Sequence, residues 1–186
     1  MGRWDTRGAM PSTHLSLHYH VVFSTKDRAP LIAPAWRGRL HAFLGGIVSK
    51  LDGIAEAVGG VADHVHILAG LRATHCLAEV MREVKAASSR WVHEEIGERG
   101  FAWQEGYGAF TVAPTQRAEV CGYIARQEEH HRVKTFQEEY LEFLQRAEVE
   151  GAHRVNAGGP ALVTRGEQIR GATPCGIRYL TPLGNA

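Results

Sequence analysis

The 186-residue chain contains no run of about 18 apolar residues, the minimum for a membrane-spanning helix, so nothing in it predicts a membrane protein. Its start, M-G-R-W-D-T-R-G, is polar and lacks the apolar core of a secretory signal, and the expectation is a soluble, cytoplasmic protein. Cysteine is scarce: Cys76, Cys121 and Cys175 are odd in number, far apart and in no C-x-x-C pair. That argues against a disulfide framework and against a thiolate zinc site, so any metal would be held by nitrogen and oxygen. Net charge is scarce as well, at +1, and gives no general pull toward polyanions. Its distribution is uneven, however. Residues 1–50 carry Arg3, Arg7, Lys26, Arg28, Arg37, Arg39 and Lys50 against Asp5 and Asp27, a local +5; residues 151–186 are +3 and the middle is near −7. Such a basic segment could bind a polyanion locally or simply be solvated surface.

What the chain does have is A-D-H-V-H-I-L-A-G-L, Ala62 to Leu71. In an extended strand alternate residues share a face, so His64 and His66 point one way while Val65 and Ile67 point the other. Two such imidazoles can hold one divalent ion and leave most of its coordination sphere open, as catalysis requires. On the spacing alone, a strand with two polar, solvent-facing histidines is the better description. A second H-x-H, His18 and His20, lies in Thr13 to Thr25, a stretch rich in β-branched and aromatic residues that reads as a strand.

The intervening segments alternate in type. Trp36, Leu40, Phe43, Leu44, Ile47, Val48 and Leu51 follow helical spacing over residues 35–51. Ile54–Val58 and Val61–Leu71 read as strands joined by a Gly59-Gly60 turn, and Thr74 is a plausible N-cap for a helix to about Ile96. Phe101–Val112 is a glycine-interrupted extended stretch, and a helix is expected from Thr115 to about His131. On that helix Val120, Cys121, Ile124 and Ala125 share an apolar arc, and Tyr123 and Gln127, four apart, sit together at its edge. Alone, this pair fits a snorkelling tyrosine beside a surface amide. A last helix from Phe136 should bury Phe136, Tyr140, Leu141, Phe143 and Leu144 and turn an acidic face outward. Residues 1–12 are expected to be disordered, 13–150 to form the domain, and 151–186 to be a Gly/Pro-rich irregular tail.

This order, close to β-α-β-β-α-β with further helices, predicts an α+β fold: a ferredoxin-like or RRM-like sandwich with an antiparallel sheet of four to five strands and helices packed mainly on one face.

Five segments in order, H-Y-H-V-V-F-S-T-K-D-R, G-G-V-A-D-H-V-H-I-L-A-G-L, M-R-E-V-K-A-A-S-S-R-W-V-H-E, F-A-W-Q-E-G-Y-G-A-F and Y-I-A-R-Q-E-E-H-H-R-V-K-T-F-Q-E-E-Y, resemble the single-tyrosine HUH transposases of small bacterial insertion sequences, which include the REP-associated tyrosine transposases. The resemblance spans about residues 13–148 and implies metal-dependent cleavage and rejoining of single-stranded DNA through a 5′-phosphotyrosine. By that resemblance His64 and His66 with Gln127 would hold Mg²⁺ or Mn²⁺, and Tyr123 would be the nucleophile; Tyr107 and Tyr140 also lie near family motifs. It further implies a homodimer that recognises hairpin DNA, with Lys26, Arg28, Lys85 and Arg90 as candidate phosphate contacts. Trp103 and Tyr107 could stack on bases or pack in the core. Two other readings stay open: a catalytically inactive hairpin nucleic-acid-binding protein, and a His-rich metal-dependent hydrolase or storage protein using His18, His20, His64 and His66.

Overall fold

The computed structural model describes residues 14–131 and 135–148; the expected disordered N-terminus and Gly/Pro-rich tail fall outside them. Strand β1 (His18–Ser24) leads through a short turn at Lys26–Arg28 to α1 (Pro34–Lys50), with Pro34 in the first turn, where its missing N–H has no helical partner to lose. Strands β2 (Ile54–Gly60) and β3 (His64–Gly70) follow, then α2 (Leu77–Trp91) and β4 (Gly108–Thr111). The described chain ends in three helices, α3 (Arg117–Ala125), α4 (Gln127–His130) and α5 (Phe136–Arg146). The sheet is antiparallel throughout in the order β2-β3-β1-β4, which with this element order is the ferredoxin-like arrangement.

Side-chain alternation divides the molecule. Val21 and Phe23 of β1 and Val65, Ile67 and Ala69 of β3 face α1 and α2, packing on Leu40, Leu44, Val80, Met81 and Val84 in the main core. His20 and Val22 of β1 and His64, His66 and Leu68 of β3 face the other way, where Leu68 meets Val112 and Ile124. Helices α1 and α2 thus cover one face as expected, while α3 to α5 cover the second. With both faces covered, the central strands are buried and read as almost continuous apolar runs despite being antiparallel.

Three local expectations change. The two glycines do not form the hairpin turn: Gly59 and Gly60 end β2, and the turn is Val61–Asp63. Gly60 has φ +152° and a Cβ there would lie 2.3 Å from the His64 carbonyl oxygen, so the chain needs glycine as it enters the turn. Helix α2 is capped at Cys76 rather than Thr74. The helix expected over 115–131 breaks at Arg126 (φ −103°, ψ 21°), which separates α3 from α4. That break turns Gln127 inward, to 2 % exposure, instead of leaving it at the rim.

Candidate active site

His64 and His66 face the same side of β3, as period-two alternation requires, and both are wholly buried. Each ring is oriented by its inner nitrogen. His64 Nδ1 lies 2.7 Å from Asp63 Oδ1, and His66 Nδ1 lies 2.9 Å from His20 Nε2. His20 is across the β1–β3 ladder, diagonal to His66 because it pairs with Leu68 while His66 pairs with Val22. Neither Nε2 atom has a hydrogen-bond partner, and in the tautomer that donates from Nδ1 each presents a lone pair. Burial, then the neighbouring imidazoles of His64, His20 and His131, holds His66 well below the ordinary histidine pKa, and burial lowers His20 to about 4. His66 and His20 are therefore neutral near pH 7, the form in which imidazole binds metals.

Two more donors converge on the pair. Glu139 of α5, 6 % exposed, places Oε2 3.7 Å from His66 Nε2 and 4.0 Å from His64 Nε2. His131, just after α4, places Nε2 3.3 Å from the same oxygen and 3.0 Å from Gln127 Oε1. Gln127 Nε2 donates to Glu139 Oε1 at 3.3 Å. The ligand atoms of His64, His66, His131 and Glu139 all lie within 4.8 Å of one another, a nitrogen-and-oxygen set suited to a divalent cation. Burial, then the carboxylates of Glu142 and Asp63, pushes the Glu139 carboxyl up to about 8; a bound cation would reverse that preference.

Neither His131 nor Glu139 belonged to the predicted site. The sequence pattern puts Glu139 on an acidic outer face, but at 100° per residue it lies only about 40° beyond Phe143, at the edge of the aromatic stripe, and there it is buried. The turn of chain that carries it is fixed by a capping box: Thr135 N donates to Glu138 Oε2 at 2.9 Å, and Glu138 N to Thr135 Oγ1 at 3.4 Å.

Tyr123 stands on α3 in the same chain, its ring centroid 5.7 Å from His66 and 6.0 Å from His20, and its buried hydroxyl has no hydrogen-bond partner. The helix can sit this close because residue 59 of β2 is glycine: a Cβ there would be 2.3 Å from the Ile124 carbonyl oxygen. A cavity of about 590 Å³ opens beside Tyr123, walled by Phe110, Phe143, His130, Glu119 and Arg146 among others.

The other predicted residues are dispersed. Lys26 is exposed and Arg28 half-buried at the turn that follows β1, whose last residue Ser24 pairs with His64. With its amide oriented to accept, Gln137 of α5 takes both Arg28 guanidinium nitrogens at 2.6 and 2.7 Å. Arg90 is exposed on α2, which packs on the opposite face of the sheet from the histidines. Lys85, also on α2, donates to the carbonyls of Gln104, Glu105 and Gly106 at 2.8, 3.0 and 2.6 Å. Trp103 is a core residue that donates to Ser88 Oγ at 2.9 Å. Tyr107 lies against Lys85, and Tyr140 stacks on Phe136. The four strand histidines do not form one set: His18 Nε2 turns to Glu56 Oε1 at 2.8 Å.

Fold and site together define a ferredoxin-like protein with a tyrosine set against a buried, metal-competent histidine pair. The chain belongs to the IS200-like transposases, whose family model matches residues 13–127. A crystal structure described as a transposase of Deinococcus radiodurans R1 is 24 % identical with a TM-score of 0.53, over 64 % of this chain and 97 % of that one. A REP-associated tyrosine transposase bound to a REP hairpin is 14 % identical with a TM-score of 0.49, over 87 % and 98 % of the two chains. No curated protein matches the chain.

Proposed function

We propose that this transposase cleaves and rejoins single-stranded DNA by covalent catalysis, with Tyr123 as nucleophile and a divalent ion on His64, His66 and Gln127. The observation that carries the reading is the meeting, within one chain, of two buried Nε2 atoms and a tyrosine hydroxyl, none of which has a hydrogen-bond partner. Unpartnered polar atoms buried together are costly unless a ligand satisfies them.

A bound Mg²⁺ or Mn²⁺ would orient the scissile phosphate and stabilise the charge that grows on it. The remaining work falls to the protein. Asp63 and His20 hold the two imidazoles with Nε2 forward. Helix α3 holds the Tyr123 ring against His66 and His20, a positioning effect that shortens the approach to phosphorus. The phenol oxygen attacks phosphorus and gives its proton to solvent, the bond from phosphorus to the 3′ oxygen breaks, and that oxygen takes a proton from solvent, leaving a 5′-phosphotyrosine and a free 3′-OH. Because the ester retains the bond, a second 3′-OH can reverse the step and join a new strand without ATP. The cavity beside Tyr123 is of a size to take an unpaired nucleotide, with Phe110 and Phe143 as apolar walls. Lys26 and Arg28, at the His64 end of the sheet, would make phosphate contacts; Arg90 could serve a more distant part of a hairpin. Lys85 could join them only by leaving three internal acceptors. Hairpin recognition and a homodimer are carried over from the family resemblance.

The test is a labelled single-stranded hairpin oligonucleotide from the flanks of the gene, incubated with Mn²⁺ and run on a denaturing gel. A covalent protein–DNA adduct is expected, absent with chelator and absent in Tyr123→Phe. An adduct that survives in Tyr123→Phe overturns the nucleophile, and one formed equally with chelator overturns the metal.

A further inference from the structure

We propose that Glu139 is the anionic ligand of the ion at His64 and His66, so that binding the ion and seating α5 on the sheet are one event. The inference rests on the metal reading above and goes beyond its ligand set. Helix α5 turns Phe136, Tyr140 and Phe143 toward the sheet, and at the edge of that stripe, about 40° beyond Phe143, it buries the carboxylate of Glu139. Phe136 lies 4.3 Å from the His64 ring, and Phe143 lies 5.0 Å from His20 and 5.8 Å from Tyr123. A carboxylate amid such contacts is unfavourable unless something satisfies it. One oxygen is satisfied, by Gln127 Nε2; the other, Oε2, lacks a well-formed hydrogen bond, stands 3.3 Å from His131 Nε2 and lies toward the two unpartnered imidazole nitrogens.

The spacing suits coordination. Donors about 2.1 Å from one ion stand roughly 3.0 Å apart when adjacent in an octahedron and roughly 4.2 Å apart when opposite. The observed separations from Glu139 Oε2, 3.7 Å to His66 and 4.0 Å to His64, fall in that range. Two neutral imidazoles and an amide bring no charge to a dication, whereas Glu139 brings one negative charge to a dry site.

The consequence is mechanical. His64 and His66 come from β3, Gln127 from α4 and Glu139 from α5, so one ion would tie three elements together. Helix α5 roofs the histidine pair, and without the ion it is held by ring contacts, by the Arg28–Gln137 bonds and by the polar contacts of Glu139 with Gln127 and His131. With the ion it becomes part of the coordination sphere.

The experiment uses the full chain with Mn²⁺ alone as the probe. Affinity is measured by calorimetry and by electron paramagnetic resonance for the wild type, Glu139→Gln, Glu139→Asp and His66→Ala, and hydrogen exchange is followed at residues 136–146. Glu139→Gln, nearly isosteric, should bind Mn²⁺ at least about tenfold more weakly. Glu139→Asp, which keeps the charge, should recover part of that loss. Mn²⁺ should slow exchange in α5 of the wild type but not of Glu139→Gln. With Co²⁺ in place of Mn²⁺, the visible absorption of Glu139→Gln should differ from wild type, a signature that a packing role would not produce. Wild-type affinity in Glu139→Gln together with lost binding in His66→Ala overturns the role of Glu139 and leaves the histidine site standing. Wild-type affinity in His66→Ala overturns the metal reading and this inference with it.

Discussion

Replacing Gly59 with alanine should separate the nucleophile from the metal. The new Cβ would lie 2.3 Å from the Ile124 carbonyl oxygen and 2.9 Å from Ile124 Cγ2, and neither β2 backbone nor α3 backbone can swing aside as a side chain would. Restoring ordinary contact at about 3.4 Å requires α3 to retreat by about 1 Å. Overpacking of this kind costs about 1–3 kcal/mol. Ile124 is the neighbour of Tyr123, so the retreat carries the phenol with it, and a 1 Å misplacement of a reacting group can cost about 100-fold in rate. His64 and His66 lie on β3 and keep Asp63 and His20 as partners. The expected result is a fall of about 100-fold in single-turnover adduct formation with less than a tenfold change in Mn²⁺ affinity, read by denaturing gel and calorimetry. If Gly59→Ala forms adduct within about threefold of wild type, Gly59 does not seat the nucleophile helix. Equal losses in rate and affinity would place the damage at the metal instead.

Tyr123→Phe removes a buried hydroxyl that has no partner, so stability should stay level or rise by up to about 1 kcal/mol while the adduct disappears; a clear loss of melting temperature would reveal a bond the hydroxyl makes. For Glu139 in metal-free protein, the folded pKa of about 8 exceeds the ordinary 4.5, so between those values the native state keeps a proton that the unfolded chain has released. Stability should therefore fall as pH rises through this window. In chelator, scanning fluorimetry should show a lower melting temperature at pH 8 than at 6.5 for the wild type, and a smaller drop for Glu139→Gln. Lys85→Ala should lower stability by about 1–3 kcal/mol through the freed carbonyls of Gln104, Glu105 and Gly106, with little effect on the salt dependence of DNA binding. Arg28→Ala should reduce that salt slope by about 1 if the guanidinium leaves Gln137 for a phosphate.

Local patterns in the chain were enough for the element order and for the shared face of His64 and His66, because strand periodicity depends only on backbone geometry. The nearness of Tyr123 and Gln127 was legible too, as a four-residue spacing, though the break at Arg126 replaced the continuous helix that spacing assumed. Glu139 was only marginally legible, since on the α5 wheel it borders the aromatic stripe, about 40° beyond Phe143, and its charge suggests an outward face.

The chain order alone determined a ferredoxin-like sandwich with a candidate histidine pair, and only the tertiary structure decided what surrounds that pair. His20 and His18 have the same spacing and the same strand face, yet one orients His66 and the other turns to Glu56. The difference arises from the register of β1 against β3, which puts His20 diagonal to His66 and His18 opposite Gly70 at the sheet's end. Likewise His131 and Glu139 reach the site because α4 and α5 fold back over the second face of the sheet. These are contacts between residues some 65 or more positions apart in sequence, and no local periodicity encodes such a distance.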